Sequence, residues 1–164
     1  MIHARASRLQ LAGVMLLLVV LHFYVRPRLG DPRVSPDFLF VGLMLFAMRS
    51  SPGVAALAGF VVGLTADALT PAQFGAGALA HTVVAYLASW GRAVFFADNL
   101  LVNAAFVAVG LWMRDLLVLA LSGSARPLLV ELALYSPLQA LTSALFALLV
   151  LLAFREWFAI RLDA

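Results

Sequence analysis

The chain has 164 residues, of which 65% are hydrophobic and only 12% are charged, whereas a soluble globular domain carries roughly 25% charged residues. With a mean hydropathy of +1.05, this composition excludes a water-soluble protein and supplies apolar residues for at most about six membrane spans of roughly 20 residues each. Once such spans are formed, no segment of about 50 residues remains for a separate extramembrane catalytic or binding domain.

The charged residues and the cysteine count exclude further classes of function. The formal net charge is +3, but the basic residues are dispersed along the chain, so we expect no nucleic-acid partner. The sequence has no cysteine, which excludes thiol nucleophiles, disulfides and iron–sulfur clusters, and its separated histidines do not predict a zinc site. We therefore expect no cofactor and no metal.

Polar residues and prolines divide the chain into six apolar stretches. The first follows Arg5 and Arg8 as in a secretory signal, but it ends in the bulky sequence HFYVR at 22–26, so we interpret it as an uncleaved span. The second to fourth stretches are only 11 to 16 residues long, so they are expected to use flanking residues or to lie inside the bundle. The sequence predicts an all-α integral membrane protein, a single six-helix domain over residues 1–164 with spans at about 9–25, 36–49, 52–69, 71–90, 99–121 and 137–155.

Four of these spans begin with a Ser or Thr that is followed by Pro. The hydroxyl group can accept a hydrogen bond from a free backbone N–H of the first turn, and Pro has no N–H to satisfy there. Gln73 lies three residues after Thr70 and adds the pattern of a capping box. The predicted helix starts are Ser35–Pro36, Ser51–Pro52, Thr70–Pro71 and Ser136–Pro137.

An even number of spans places both termini on one side of the membrane. Arginines near the span ends number six on that side and four on the other, so the positive-inside rule predicts cytoplasmic termini in a bacterial inner membrane. The aromatic residues expected to anchor the cytoplasmic interface are Phe95, Phe96, Phe154, Trp157 and Phe158.

With these helix directions, most polar side chains within the membrane fall in the outer leaflet. An ionisable group in hydrocarbon costs about 2.5 to 3.5 kcal/mol on insertion scales and turns toward a partner or a wet cavity. We therefore predict an outward-open polar pocket or a structural ion network that contains Asp37, Asp67, His81, Arg114, Asp115 and Gln139.

The pairing within this set is partly predictable. Arg114 and Asp115 are adjacent and point about 100° apart on a helix, so we expect Arg114 to reach Asp67 or Asp37 across the bundle instead. The structural interpretation is a salt bridge that fixes helix register, and the alternatives are a ligand or partner site and a proton relay. His81 is expected to be a hydrogen-bonded core residue rather than a ligand.

Small residues mark one face of the third span. Ala55, Gly59 and Gly63 precede Asp67 at four-residue steps, which predicts close packing against another helix, with homodimerisation through the same stripe as the alternative. On the fourth span, a polar edge of three residues is expected to form interhelical hydrogen bonds, namely Thr82, Tyr86 and Ser89.

The sequence does not predict an enzyme. It contains no GxSxG elbow and no Ser placed beside a His for nucleophilic catalysis. Asp37 and Asp67 are a possible carboxylate pair, but a nearby Arg114 would hold both ionised, which prevents them from sharing a proton.

Residues 59–90 read GFVVGLTADALTPAQFGAGALAHTVVAYLASW. This sequence resembles the signature of the rod shape-determining protein MreD family: a Gly-rich third span that ends in Asp, a short turn with Gly, and Ala-Leu and Ala-Tyr-Leu in the fourth span. Pro36 and Asp37 resemble the family's Pro-Asp pair, and the length and the six spans also agree.

The resemblance implies a non-enzymatic scaffold of the bacterial elongation complex. Its main partner would be the bitopic protein MreC. It would also contact RodA with its penicillin-binding transpeptidase, and MreB, either directly or through MreC. The family is also similar in helix arrangement to the substrate-binding component of energy-coupling-factor transporters, so a vitamin- or small-ligand-binding component is the alternative. A scaffold predicts a lipid-facing apolar groove for another protein's span, and a transporter component predicts a closed pocket lined by aromatic residues and loops.

Overall fold

The protein is described by a computed structural model over residues 2–69, 74–92, 99–122 and 128–154, with side chains for all of these except 2–8, 10, 92 and 128. Within these ranges the chain forms six helices of ten or more residues and no strand, which confirms the all-α prediction. The helices are α1 (Ile2–Val20), α2 (Phe38–Ala47), α3 (Pro52–Leu69), α4 (Ala76–Arg92), α5 (Leu100–Ser122) and α6 (Ser136–Ala153).

Four helical segments in the described part of the chain are long and apolar enough to cross a membrane. They are Leu11–Arg28, Pro52–Leu69, Leu100–Ser122 and Glu131–Ala153. The apolar helix α2 has only 10 residues, about 15 Å of helix against a hydrocarbon core of about 30 Å, and α4 has 17 residues. A membrane crossing by α2 and α4 stays a prediction.

The short helix α2 lies at the centre of the bundle. Eight of its 10 residues are buried, and it contacts each of the other five helices. Its buried side chains form one apolar core with residues from every neighbour, including Leu18 of α1, Val107 and Leu111 of α5 and Leu151 of α6. The expectation that short spans lie inside the bundle is thus confirmed for α2.

The start of α2 differs from the prediction. Its N-cap is Asp37, whose Oδ1 accepts a hydrogen bond from the backbone N–H of Phe40 at 3.0 Å. Ser35 instead donates its hydroxyl hydrogen to the Asp31 carbonyl at 2.8 Å, because Pro36 lies outside the helix and the next side-chain oxygen in register is that of Asp37. The predicted start at Pro52 is confirmed for α3, whereas Thr70, Pro71 and Gln73 lie outside the described residues.

The α-helix α6 begins at Ser136 as predicted, but Ser136 does not cap a free helix end because the chain before it is already helical. A helical turn (Leu128–Val130) and a π-helical turn (Glu131–Tyr135) lead into α6 without a break, and the Ser136 N–H donates to the Glu131 carbonyl. A proline inside a helix has no N–H to donate and its ring clashes with the carbonyl four residues earlier, and the wider π-helical turn changes the hydrogen-bond register at this point. A similar π-helical turn (Leu21–Val25) and a 3₁₀ turn (Arg26–Arg28) extend α1.

The small-residue stripe of α3 packs against α4. Ala55, Gly59 and Gly63 are buried, and a Cβ at Gly63 would overlap the backbone of Gly77 and Ala78. The close-packing prediction is confirmed, and homodimerisation through this stripe is wrong because α4 already occupies it.

Of the aromatic residues predicted at the cytoplasmic interface, only Phe154 lies among the residues that the structure describes. Phe154 is half-buried and packs against the apolar core. Phe95, Phe96, Trp157 and Phe158 lie outside the described residues.

Candidate functional site

Asp37 is a buried carboxylate that joins three helices. Its side chain caps α2, and Oδ2 accepts a hydrogen bond from Nη1 of Arg114 on α5 at 2.5 Å. Its backbone N–H donates to Oγ of Ser143 on α6 at 3.0 Å, and Nδ1 of His22 lies 3.3 Å from Oδ1. Since Asp37 is only 5% exposed, the hydrogen bonds from Phe40 and Arg114 replace the water that the carboxylate loses on burial.

Arg114 is equally enclosed, at 8% exposed. Besides Asp37, its guanidinium donates from Nη2 to Oε1 of Gln139 at 3.2 Å, and its carbon atom Cζ lies 5.0 Å from the ring centre of Phe40. The expectation that Arg114 reaches a carboxylate across the bundle is correct for Asp37.

The prediction that Arg114 and Asp115 do not pair is wrong. Nε and Nη2 of Arg114 donate to Oδ1 of Asp115 at 2.9 and 2.7 Å. The 100° between neighbouring positions applies to Cα–Cβ directions, whereas the long arginine side chain folds back far enough for its planar group to meet the adjacent carboxylate.

Asp67 does not pair with Arg114 and instead caps the next helix. Its Oδ2 accepts hydrogen bonds from the N–H groups of Gly75 and Ala78 at 2.8 and 2.9 Å, and its Oδ1 accepts one from Gly77 at 3.0 Å. The first N–H groups of a helix lack intrahelical partners and favour a negative charge. Gly75 has a φ of +95°, and a Cβ at Gly77 would collide with Oδ1 of Asp67, so both glycines are needed at this turn.

Gln139 holds the loop between α1 and α2 against α6. Its Nε2 donates to the carbonyls of Pro32 and Ser35 at 2.9 and 3.2 Å. Thr142, one turn further along α6, donates to the Val34 carbonyl at 2.8 Å. These bonds fix the loop that carries Asp37 into the bundle.

The exposed part of the same loop carries an ion pair. Nη2 of Arg33 donates to Oδ2 of Asp31 at 2.8 Å, and the Arg33 guanidinium lies 4.0 Å from the ring centre of Tyr135. The hydrogen bonds from Arg33 lower the pKa of the Asp31 carboxyl from its usual value.

His81 is a buried core residue, as predicted. Its Nδ1 lies 2.7 Å from the Gly77 carbonyl, and its ring packs edge-on against Phe40. On the polar edge of α4, Ser89 forms the predicted interhelical bond, to the Ser50 carbonyl at 2.6 Å. Thr82 instead donates to the carbonyl of Ala78 in its own helix, which is the common alternative for Ser and Thr in helices.

All six predicted polar residues line one cavity of about 890 Å³. Several residues that were not predicted from the sequence also line this cavity: His22, Arg26, Asp31, Arg33, Glu131 and Tyr135. Four-residue spacing of His22 and Arg26 at the end of the first span was a usable signal, because such residues share a helix face. Asp37 and Asp67 face this cavity without a hydrogen bond to each other, since both oxygens of Asp67 accept from backbone amides.

A family model described as rod shape-determining protein MreD matches residues 7–158. The match covers most of the chain. The chain therefore belongs to the MreD family. Comparison with curated proteins and with solved structures gives no match, so the likeness of the helix arrangement to energy-coupling-factor components stays a prediction. Family membership indicates a role in rod shape determination and an association with the complex that performs it. The family is one of structural proteins. The four long apolar helical segments indicate a membrane protein.

The residues that resemble the MreD family have clear structural roles in this member. The glycines of α3 let α4 approach, and the Asp at its end caps α4 through the amides of the Gly-containing turn. The Asp of the Pro-Asp pair caps α2 and pairs with Arg114. These residues thus specify the helix contacts that shape the cavity.

A second surface feature is a groove of about 550 Å³ between α1 and α3, with α2 at its base. Its lining contains no charged or polar side chain. The residues are Leu11, Ala12, Met15, Leu18, Val19, Phe38, Leu39, Gly42, Leu43, Phe46, Ala58 and Val62.

Proposed function

We propose that the protein is a non-enzymatic inner-membrane scaffold of the elongation complex, and that its main contact is with the single span of MreC. The proposal takes the whole chain as one six-span domain with cytoplasmic termini. The apolar groove is the observation that carries it, because a scaffold needs a lipid-facing surface that fits another protein's helix.

The groove has the properties of a helix-binding surface in a membrane. Its α1 edge extends from Leu11 to Val19, about 12 Å along the helix axis, and Gly42 at its base adds no side chain. Helices in lipid associate through close van der Waals packing and not through loss of water. A concave apolar surface increases the packing area available to a single span.

A partner in this groove would join the wall-synthesis enzymes to the scaffold. In this proposal MreC links the protein to RodA and its penicillin-binding transpeptidase on the outer side and to MreB on the inner side. The chain itself supplies a rigid anchor, since its buried ion network ties α2, α5 and α6 together.

Site-specific photocrosslinking in native membranes tests the groove. A photoreactive residue in place of Val19 is expected to crosslink to MreC, because Val19 lines the groove and is 37% exposed. The matched control is the same residue at Leu149, which is 61% exposed on α6 and does not line the groove. Absence of a crosslink from Val19, or equal crosslinks from both positions, would contradict the proposal.

Purification of the tagged protein distinguishes the scaffold from the transporter alternative. Recovery of MreC supports the scaffold, and recovery of an ATPase module with a bound vitamin overturns it. The cavity does not have the aromatic lining that the transporter alternative predicts: its described lining is rich in charged residues, with Phe40 and Tyr135 as the only Phe, Tyr or Trp side chains.

A further inference from the structure

The cavity contains three hydrogen-bond acceptors that the described part of the bundle leaves unused. Nδ1 of His81 faces the Gly77 carbonyl and therefore carries the hydrogen, so the neutral imidazole presents an unpaired acceptor at Nε2. Oδ2 of Asp115 accepts no hydrogen bond, since both bonds from Arg114 go to Oδ1. The carboxylate of Glu131 accepts no hydrogen bond from the described residues, and all three residues line the same cavity.

The burial of His81 makes its unused acceptor significant. The residue is only 5% exposed, yet its Nε2 is not among the fully buried atoms that lack a partner. The imidazole lines the cavity, so the cavity gives access to this nitrogen. A group that donates a hydrogen bond from within the cavity would satisfy it.

The charges of the lining favour a cation. Five carboxylates and three guanidinium groups line the cavity, which leaves a net charge of −2 when the imidazoles are neutral. Most of the guanidinium donors are already engaged: Arg114 with Asp37 and Asp115, Arg33 with Asp31, and Nη2 of Arg26 with the Pro32 carbonyl, while the buried Nε of Arg26 has no partner among the described residues. The carboxylates of Asp115 and Glu131 therefore face the cavity with spare acceptor capacity.

We propose that this cavity binds a primary ammonium group. Such a group has three N–H donors and one positive charge, which match the two open carboxylates and the unpaired imidazole acceptor. Apolar residues in the wall, including Leu39, Val118 and Leu119, accommodate a short carbon chain attached to the nitrogen. This site is separate from the apolar groove and does not depend on the partner proposed above.

The same chemistry has two sources, an aminophospholipid headgroup and a soluble alkylammonium ion. The exposed side chains of Asp31 and Arg33 also line the cavity, so it opens at the end of the bundle where loops meet the headgroup region. Both sources have access at this level, and the experiment must separate them.

Titration of the purified protein in phosphatidylcholine nanodiscs tests the proposal. The probe is butylammonium, with butanol and butyrate as neutral and anionic probes of the same length. Trp112 is the reporter in a background without the other two tryptophans, because its Nε1 donates to the Leu132 carbonyl next to Glu131 at 3.1 Å. The unfolding temperature over the same titration is a second readout.

Butylammonium is expected to bind and to raise the unfolding temperature, whereas butanol and butyrate have no effect. Glu131→Gln should raise the dissociation constant at least tenfold without disturbing the fold, because the Glu131 carboxylate forms no hydrogen bond or salt bridge with the described residues. Asp115→Asn should act in the same direction. Thr65→Ala is the control and should leave the dissociation constant unchanged, because Thr65 lies at an exposed position of α3 and does not line the cavity.

Phosphatidylethanolamine in the nanodiscs separates the two sources. If it weakens butylammonium binding by competition, the ligand is the lipid headgroup, and if it has no effect, the ligand is soluble. The proposal is overturned if butylammonium changes neither readout, if butyrate binds more tightly, or if Glu131→Gln binds as the parent protein does.

Discussion

At the scale of single residues, the pairing of Asp37 with Arg114 is the contact on which the buried network depends. Asp37 and Arg114 are only 5% and 8% exposed, and removal of one partner from a buried pair costs about 3 to 5 kcal/mol because it leaves the other charge uncompensated. Asp37→Leu and Arg114→Leu should each lower the free energy of unfolding in detergent by about this amount. The double variant should lose less than the two single losses together, by at least about 1 kcal/mol.

The matched control for this cycle is Asp67 with Arg114. Asp67 and Arg114 are also a buried carboxylate and a buried guanidinium group that line the same cavity. The Asp67 carboxylate, however, accepts its hydrogen bonds from backbone amides. Asp67→Leu and Arg114→Leu should therefore be additive to within about 0.5 kcal/mol. Additivity for Asp37 and coupling for Asp67 would reverse the assignment of partners.

The sequence predicted which polar residues meet but only part of how they pair. Burial cost alone requires that Asp37, Asp67, His81, Arg114, Asp115 and Gln139 turn inward, and this needs no knowledge of packing. The choice between Asp37 and Asp67 for Arg114 depends on the relative rotation of three helices, which sequence periodicity does not provide. The glycine-rich turn after Asp67 carried the missing signal, because it exposes N–H groups that a carboxylate can accept.

At the scale of elements, Asp67 fixes the start of α4 from the end of α3. Asp67→Asn removes the charge and one acceptor, so it should lower the free energy of unfolding by about 1 to 3 kcal/mol. Amide hydrogen exchange at Gly77 and Ala78 should become faster, since these N–H groups lose a charged acceptor. Thr65→Ala is the control, because its hydroxyl bonds only to the Val61 carbonyl at an exposed position of the same helix.

The α3–α4 contact provides a second test at this scale. Gly63→Ala places a methyl group against the backbone of Gly77 and Ala78, and overpacking of this kind costs about 1 to 3 kcal/mol. Gly53→Ala in the same helix meets no atom within 4 Å, and alanine is the better helix former. Thermal unfolding should therefore show a lower midpoint for Gly63→Ala and an equal or higher one for Gly53→Ala. A lower midpoint for both would assign the effect to helix α3 itself.

Helix ends were predictable only where the local sequence decides them. Pro52 begins α3 because nothing upstream continues the helix. Ser136 and Pro137 have the same local pattern, yet the chain enters them already helical and a π-helical turn absorbs the proline. This difference arises from packing of residues 128–135 beside α5, where Trp112 bonds to the Leu132 carbonyl, and so lies outside any local rule.

At the scale of the whole molecule, α2 explains why so small a bundle encloses a polar cavity. The loop that precedes α2 folds against α6 through Gln139 and Thr142, and α2 starts beside Ser143, about two helical turns inside α6. The space above it is lined by the polar ends of the surrounding helices. The short length of the second apolar stretch predicted that this span lies inside the bundle. The cavity, however, follows from the position of α2 at the centre of the other helices.

The side of the membrane on which the cavity opens is testable because the chain has no native cysteine, so each introduced thiol is labelled without background. Leu29 precedes α2 and Phe74 follows α3, and they are 48% and 66% exposed, whereas Ser51 lies in the exposed turn between α2 and α3. With cytoplasmic termini, Leu29→Cys and Phe74→Cys should react with an impermeant maleimide in intact spheroplasts.

Ser51→Cys should react only after permeabilisation, because α3 carries the chain from its turn to the opposite end of the bundle. The reverse labelling pattern would show that the termini face outward and that the cavity opens to the cytoplasm. Equal reactivity of all three thiols in intact spheroplasts would contradict a membrane crossing by α3. The same labelling pattern decides which leaflet could supply the proposed ammonium site, since an aminophospholipid in the outer leaflet reaches the cavity only in the first orientation.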